Sequence, residues 1–474
     1  MSTIVPDQEA SEGLWDRTLR KMRRAWPRGV AASLKDAVSA DLGGDDVQRI
    51  RQQIDDCLKA LGGEVSARAR AAELGETYLV LNEAGRQRFL QILADDYDVD
   101  GEAIDTAIRA RNDAQDDPAA RRRAESHLRE ALRAPRVALL SQFNALEEGV
   151  KFLVDLRAEL IPLARADTGL KALDQDVYRL LSSWFDVGFL KLQRITWDSP
   201  ASLLEKLTKY EAVHAIRSYS DLKNRLGDDR RCYAYFHPQM PDEPLIFVEI
   251  ALVNGIAGNV HELLDEKAPL GDPERADTAI FYSISNCQKG LAGVSFGNFL
   301  IKGVVSDLLR ELPNLKTFST LSPVPGFRPW LQQQLEDNTL DFNKDALQAL
   351  STLSSVAATP ESFAKSLNRD LGEDGGAFGE DLQKLLMHSC ARYLLEARRN
   401  DHALDRVAHF HLSNGARIER LNWAGDLSHN GIRQSAGIMV NYLYKLSDIE
   451  KNHEAYSSNA TIAASTAVRK LVRA

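Results

Sequence analysis

The sequence predicts a two-domain α+β protein, with an all-helical domain over residues 1–182 and a mixed α/β domain over 183–474. Three observations predict it. Up to about residue 182, apolar residues recur at helical spacing and no long run alternates with period two. Beyond it, aromatic and β-branched runs appear, separated by turns. Between two of those runs a glycine-rich turn leads into a helix-period segment, the order of a strand–helix–strand crossover.

The first helix is read in "LWDRTLRKMRRAWP", where Trp15, Leu19, Met22 and Trp26 make one apolar stripe opposite a basic face, and Pro27 ends it. "DAQDDPAARRRAESHLREALRAP" is charge-dense and helical, with Asp117-Pro118 as its start. In "NALEEGVKFLVDLRAELIPL", Leu146, Val150, Leu153, Leu156 and Leu160 form a further stripe. The charge runs between them read as solvated faces, and the stripes as core or subunit contact.

The second domain carries strand-like runs in "RCYAYFHP", "PLIFVEIALV", "TAIFYSIS", "LKTFSTLS" and "RVAHFHLSNG". In the last, alternation puts His409 and His411 on one face and Phe410 and Leu412 on the other. The strand 278–285 is followed by a turn at 286–298 containing Gly290, Gly293 and Gly297, then a helix at 299–312 and a strand at 315–322. If the two strands are parallel, free N–H groups at the helix start and close-approaching glycines form a phosphate cradle. Neither G-x-x-x-x-G-K-[ST] nor G-x-G-x-x-G is present. Gly293-Val294-Ser295-Phe296-Gly297 does match G-x-S-x-G, but an elbow serine follows its strand almost at once, and Ser295 lies well past the strand end. "LGEDGGAFGED" at 371–381 reads as a loop before the helix "LQKLLMHSCARYLLEARR", and "NATIAASTAVRKLVRA" as a last helix.

"STLSPVPGFRPW" stops the strand after the crossover at Ser322. Pro323 and Pro325 lack amide donors, so this strand splays from its neighbour. The gap is lined by Ser283 or Ser285 on one side and Ser319 or Ser322 on the other. A thioester arm fits such a gap, with its pyrophosphate on the glycine loop.

The totals exclude several classes. No apolar run reaches the length of a membrane span, and the N-terminus has no basic region followed by an apolar one. A net charge of −9 argues against a nucleic-acid binder. Cys57, Cys232, Cys287 and Cys390 are far apart with no C-x-x-C pair, which reads as free thiols in a reducing compartment. The histidines form no H-E-x-x-H, so no metal site is expected.

In "YEAVHAI", "RRCYAYFHPQMPDEPLIFVEIAL", "GLAGVSFGNFLIK", "TFSTLSPVPGFRPWL", "FHLSNGARIERLNWAGDLS" and "GIMVNYLY" the chain resembles the malonyl-CoA decarboxylase family. The helical region resembles that family's N-terminal domain in "GVKFLVDLRAEL" and "SSWFDVGFLKL". The resemblance implies a GNAT-like catalytic domain with a splayed strand pair, and a carboxy-lyase converting malonyl-CoA to acetyl-CoA and CO₂. It places the catalytic serine at Ser322 and the histidine at His411, and substrate-binding groups at Ser283 and Tyr444. It lays the CoA-contacting loop on Ala292, Gly293, Val294, Ser295, Phe296, Gly297 and Asn298. Some relatives carry glutamate where this chain has Ser295. Some eukaryotic relatives end in a peroxisomal tripeptide; this chain ends Val472-Arg473-Ala474, so a cytoplasmic protein is expected. The family also implies assembly through the helical domain, as a homo-tetramer.

The implied chemistry needs no metal, thiamine or pyridoxal, because the thioester carbonyl accepts the electrons released with CO₂. The protein must orient the C–CO₂⁻ bond, stabilise the enolate oxygen and protonate the carbon. Three other readings stay open: a GNAT-like acyltransferase, a thioesterase using Ser295 or Ser322, and a non-catalytic CoA-binding scaffold.

Overall fold

The computed structural model describes residues 38–59, 64–114, 117–294, 299–337 and 377–473. The expected helix bearing Trp15, Leu19, Met22 and Trp26 lies outside these residues, as do 371–376 of the acidic loop and Ser295, Phe296, Gly297 and Asn298.

The N-terminal region is helical: α1 (Asp46–Leu58), α2 (Glu64–Val80), α3 (Glu83–Asp95), α4 (Gly101–Asp113), α5 (Pro118–Ala131), α6 (Pro135–Gln142), α7 (Gly149–Leu163) and α8 (Thr168–Trp184). Side-chain caps start several of them, each satisfying an amide the helix leaves unpaired. Asn82 accepts from Gly85 N, Asp100 from Glu102 N and Asp167 from Leu170 N. The expected start at Asp117-Pro118 is found: Pro118 is the first residue of α5, and Asp117 accepts from Ala119 N at 2.8 Å. The stripe of Leu146, Val150, Leu153, Leu156 and Leu160 is wholly buried. Phe152, Val154 and Arg157 are buried too, so α7 is the central helix of its layer.

The second region builds, among the described residues, an eight-stranded sheet. Its strands are β1 (Lys191–Ile195), β2 (Arg230–His237), β3 (Met240–Val253), β4 (Thr278–Asn286), β5 (Thr317–Thr320), β6 (Ser322–Pro323), β9 (Arg417–Asn422) and β10 (Met439–Leu443). A separate hairpin is made by β7 (Arg398–Arg399) and β8 (His402–Ala403). The order is β1-β2-β3-β4-β5-β10-β6, with β9 on the other side of β10. β4 and β5 are parallel, joined through α11 (Phe299–Glu311), and the other pairs are antiparallel. Ile301, Val304, Val305 and Leu308 of α11 pack with Tyr233, Tyr235, Ile246 and Val248 of the sheet. Gly303 allows that approach, since a Cβ there would lie 2.1 Å from the Tyr235 hydroxyl oxygen.

The sheet opens where the prolines predict. β4 pairs β5 from Thr278↔Thr317 to Phe281↔Thr320, and Leu321 N donates to Phe281 O at 3.0 Å. Beyond that point β4 runs on to Asn286, while Ser322 and Pro323 pair instead with Val440 and Met439 of β10. The strand read as 315–322 is therefore broken at Leu321 into β5 and β6.

Residues 406–413, read as a strand, are a helix, α14 (Arg406–Ser413). Four alternating residues do not outweigh the terminal signals. Asp405 caps the start, accepting from Val407 N and Ala408 N, and Gly415, at φ +80°, ends it. Ala416 N donates to His411 O and Gly415 N to Leu412 O, the paired bonds of a Schellman end. The remaining helices are α9 (Ala201–Tyr210), α10 (Tyr219–Arg225), α12 (Phe327–Glu336), α13 (Ala377–Glu396), α15 (His429–Ser435), α16 (Ile449–Asn459) and α17 (Thr466–Arg473). α13 begins at Ala377, inside the stretch read as loop.

The two regions share core. Met240, Leu245 and Leu291 pack in the apolar cluster of the helical region. The His237 ring lies 4.7 Å from that of Phe185, with Nε2 3.1 Å from Trp184 O. Among the described residues no helix is long and apolar enough to cross a membrane.

Candidate active site

A cleft of about 480 Å³ lies in the opening between β4 and β6. Its walls include Tyr282, Ser285 and Asn286 of β4, Ser322 and Pro323 of β6, and Arg406, Phe410 and His411 of α14.

Ser322, His411 and Tyr444 form one chain of contacts. Ser322 Oγ lies 3.2 Å from His411 Nε2, and His411 Nδ1 lies 2.8 Å from the Tyr444 hydroxyl. Ser322 Oγ donates to Thr320 Oγ1 at 2.9 Å, and Thr320 Oγ1 also accepts from Tyr442 N at 3.1 Å. One tautomer satisfies every bond: Tyr444 O–H donates to Nδ1, and Nε2–H donates to Ser322 Oγ. The opposite tautomer leaves the Tyr444 hydroxyl hydrogen without an acceptor among the described residues.

Burial fixes the charge of this chain. His411 is 3% exposed, with its ring stacked on that of Tyr442 at 4.5 Å. Burial alone lowers its pKa to about 3, because the imidazolium loses its hydration. Burial also holds Tyr444 well above its ordinary range. At neutral pH the site is therefore a row of uncharged donors. A Ser-His-Asp triad differs here, since it places a carboxylate behind the imidazole to stabilise the cation.

Local sequence brings the two segments together. Pro323 and Pro325 keep β6 off β4, and Val324 N donates to Ser435 Oγ at 2.9 Å. Gly326 N donates to Asp405 Oδ2 at 3.2 Å, and the other oxygen of Asp405 caps the helix that carries His411. A Cβ at Gly326 would sit 2.1 Å from the Tyr393 hydroxyl. Asp405→Ala is expected to cost about 2 kcal/mol, since a cap is lost and buried amides are left unpaired. It should also lower kcat by releasing the serine segment from the histidine helix. Asp405→Asn should restore most of both; urea unfolding and turnover of the two variants check this.

Ser283 stands apart from this chain. It is 2% exposed, is absent from the cleft walls, and donates to the Glu211 carboxylate at 2.8–2.9 Å. Ser285 does line the cleft, and its hydroxyl accepts from Ala212 N at 3.2 Å. Glu211 also takes Val213 N and His214 N, fixing the segment that forms the wall opposite Ser322. Thr320, Asp405 and Glu211 were not singled out as site residues by sequence reasoning. Only Asp405 carries a local signal, its capping position.

Of the expected CoA-contacting residues 292–298, Ala292, Gly293 and Val294 are described, and they do not line the cleft. Gly293 adopts φ +84°. Arg157 of α7 donates to Gly290 O and Ala292 O, and Tyr178 of α8 to Gly293 O. All four cysteines are buried free thiols. Among the described residues no group of three or more His, Cys, Asp or Glu is placed to hold a metal ion.

A malonyl-CoA decarboxylase C-terminal domain model matches residues 188–474, and an N-terminal domain model matches 97–185. The chain is 39% identical over 423 residues to mitochondrial malonyl-CoA decarboxylase of Anser anser anser, covering 86% of this chain and 84% of that protein. It is 35% identical over 462 residues to the mitochondrial enzyme of Rattus norvegicus, covering 95% and 90%. The crystal structure of malonyl-CoA decarboxylase from Rhodopseudomonas palustris superposes with a TM-score of 0.81 at 43% identity, over 90% of this chain and 99% of that one. That from Agrobacterium vitis gives 0.81 at 41%, with the same coverage. With the C-terminal model alone spanning more than half of its length, this chain belongs to the malonyl-CoA decarboxylase family.

Proposed function

We propose that the chain converts malonyl-CoA to acetyl-CoA and CO₂ without a metal or organic cofactor, with Ser322 and His411 as its catalytic pair. The observation that carries this is the uncharged row Tyr444–His411–Ser322 at the wall of the cleft. Loss of CO₂ moves one negative charge from the carboxylate to the enolate oxygen and creates no new charge. Neutral donors suit that oxygen, and a dry site makes them stronger. When substrate binds, Nε2–H of His411 and O–H of Ser322 turn from Ser322 Oγ and Thr320 Oγ1 to that oxygen and become those donors. A proton is then delivered to the carbanion carbon through His411 Nε2, in step with the solvent proton that each turnover consumes, so that neither His411 nor Tyr444 is left as an anion where burial opposes it. Each turnover takes up one proton, which solvent returns to this chain of groups.

A thioesterase mechanism asks His411 for the reverse. It must take the serine proton and become a cation in a place where burial opposes the cation and no carboxylate supports it. A GNAT-like acyltransferase needs an acceptor and would release no CO₂ from malonyl-CoA alone. Incubation with malonyl-CoA and a chelator, following CO₂, acetyl-CoA, malonate and free CoA, separates the three. Equal amounts of CO₂ and acetyl-CoA are expected. Free malonate in place of CO₂ would overturn the reading.

The CoA pyrophosphate is assigned to the turn before α11, on residues 290–298, with Ser283 and Tyr444 supporting the substrate. Ser283 would do so through Glu211 and the β4 wall rather than by contact. The buried free thiols fit a reducing compartment, and we place the protein in the cytoplasm. The helical domain, 1–182, is assigned to assembly as a homo-tetramer. α4 and α5 support this, since each buries a single alanine, Ala107 and Ala124, leaving the hairpin largely unpacked by its own chain.

A further inference from the structure

The cleft holds a polar side chain that the chemistry above leaves unused. His214 stands in the segment between α9 and α10, on the wall facing Ser322, and lines the cleft. Its backbone is fixed, since His214 N donates to Glu211 Oε1 at 2.7 Å. The side chain has no such anchor. The residue is only 9% exposed, yet its Nε2 is buried without a hydrogen-bond partner among the described residues. A buried polar nitrogen left unpaired is costly, and here it points to a ligand that completes it. Burial holds the imidazole below its ordinary range, against the pull of Asp426 and Glu211, so the ring is neutral and carries a single N–H.

The reaction indicates which ligand group belongs there. Ser322 and His411 take the thioester oxygen on one wall. The C–CO₂⁻ bond must stand perpendicular to the thioester plane, so the carboxylate is carried off that plane and needs a partner of its own. Among the described residues of the cleft the one permanent cation is Arg406, which is exposed and lies a helical turn before Phe410 on α14. A cation gripping the carboxylate would stabilise a charge that is gone when CO₂ leaves, and so would favour the ground state over the transition state. A neutral N–H orients the carboxylate with less of that penalty. The Asp426 carboxylate, also on the cleft wall, repels the substrate carboxylate, and that repulsion ends as CO₂ departs uncharged.

We propose that His214 is the specificity-determining residue for the acyl carboxylate, its Nε2–H donating to that group while the opposite wall holds the thioester oxygen. This rests on the malonyl-CoA reading above. The test compares malonyl-CoA as substrate with acetyl-CoA as competitive inhibitor, which has the same CoA and thioester and lacks the carboxylate. His214→Phe is expected to lower kcat/KM for malonyl-CoA about tenfold or more, the range of one hydrogen bond to a charged group, while Ki for acetyl-CoA changes by less than about twofold. His214→Gln can place an amide donor near the Nε2 position and should recover most of the loss. His214→Asn, one bond shorter, should not, so a poorly folding phenylalanine variant does not block the test. A loss shared equally with acetyl-CoA, no loss on malonyl-CoA, or a glutamine variant no better than the asparagine one overturns the proposal. So does a preference for malonyl-CoA that falls in Arg406→Gln and stands in His214→Phe. Calorimetric titration with the two thioesters separates the proposal from the decarboxylase reading. If the wild type releases no CO₂ from malonyl-CoA, that reading fails. His214 is then judged by binding alone: its phenylalanine variant should erase the tighter binding of malonyl-CoA over acetyl-CoA, and a preference that survives overturns the assignment.

Discussion

Replacing His411 by Asn, or Ser322 by Ala, is expected to lower kcat for malonyl-CoA about a hundredfold or more, the range lost when positioned acid–base catalysis is removed. Each variant deletes one donor at the enolate oxygen and leaves its partner misdirected. Asn at 411 cannot bridge Tyr444 and Ser322 as the ring does, over 2.8 Å on one side and 3.2 Å on the other. The double variant should be little worse than the worse single one, because the two groups act as a unit. The pH dependence is a second reading of the same state. With its pKa lowered to about 3, His411 keeps its Nε2–H donor tautomer as pH falls through 6.5. The kcat profile should therefore show no limb near 6.5. Near-wild-type rates in either single variant, or a limb at 6.5 that His411→Asn removes, would refute the neutral-donor mechanism.

Much of this site was legible because its parts announce themselves locally. Pro323 and Pro325 deny β6 a place beside β4, and the cleft opens at the residue they follow. The strand–helix–strand order was readable from apolar period and glycine placement, and the structure supplies the parallel pairing that the sequence left conditional. The helix around His411 was misread because "HFHL" alternates over four residues, a span too short to separate strand from helix. The decisive signals were at the ends: Asp405 in the cap position and Gly415 at φ +80°, where a Cβ would meet Ile449 O at 2.2 Å. Ser283 was legible only in part. Its strand and burial were readable, but its partner Glu211 lies 72 residues away, and no local pattern reports where a strand hydroxyl finds its acceptor.

The largest effect on stability is expected beneath that same strand. Arg225→Met should destabilise the protein by about 3–5 kcal/mol at neutral pH, the usual result of removing one partner from a buried ionic group. Arg225 bonds Asp221 at 2.7 and 3.3 Å and Glu249 at 2.9 Å, with its side chain only 2% exposed. Glu249 is paired across the sheet with Ser283, whose hydroxyl reaches Glu211. One guanidinium therefore serves a group of carboxylates, and burial, then the Glu211 charge, push Glu249 up to about 8. A carboxyl whose folded pKa is raised from 4.5 to about 8 adds stability in full below 4.5 and loses it as pH rises through 8. His411 acts in the opposite sense. Its folded pKa is lowered from 6.5 to about 3, so its contribution is complete above 6.5 and fades as pH falls towards 3. The two slopes cancel between 4.5 and 6.5, giving a plateau with an alkaline limb from Glu249 and an acid limb from His411. Urea unfolding across this range tests the assignment. Glu249→Gln should erase the alkaline limb, gaining on the wild type by up to about 1.4 kcal/mol per pH unit between 6.5 and 8. An Arg225→Met protein within about 1 kcal/mol of wild type at pH 7 would mean that the carboxylates share no common cation, since a stranded buried charge costs more than that.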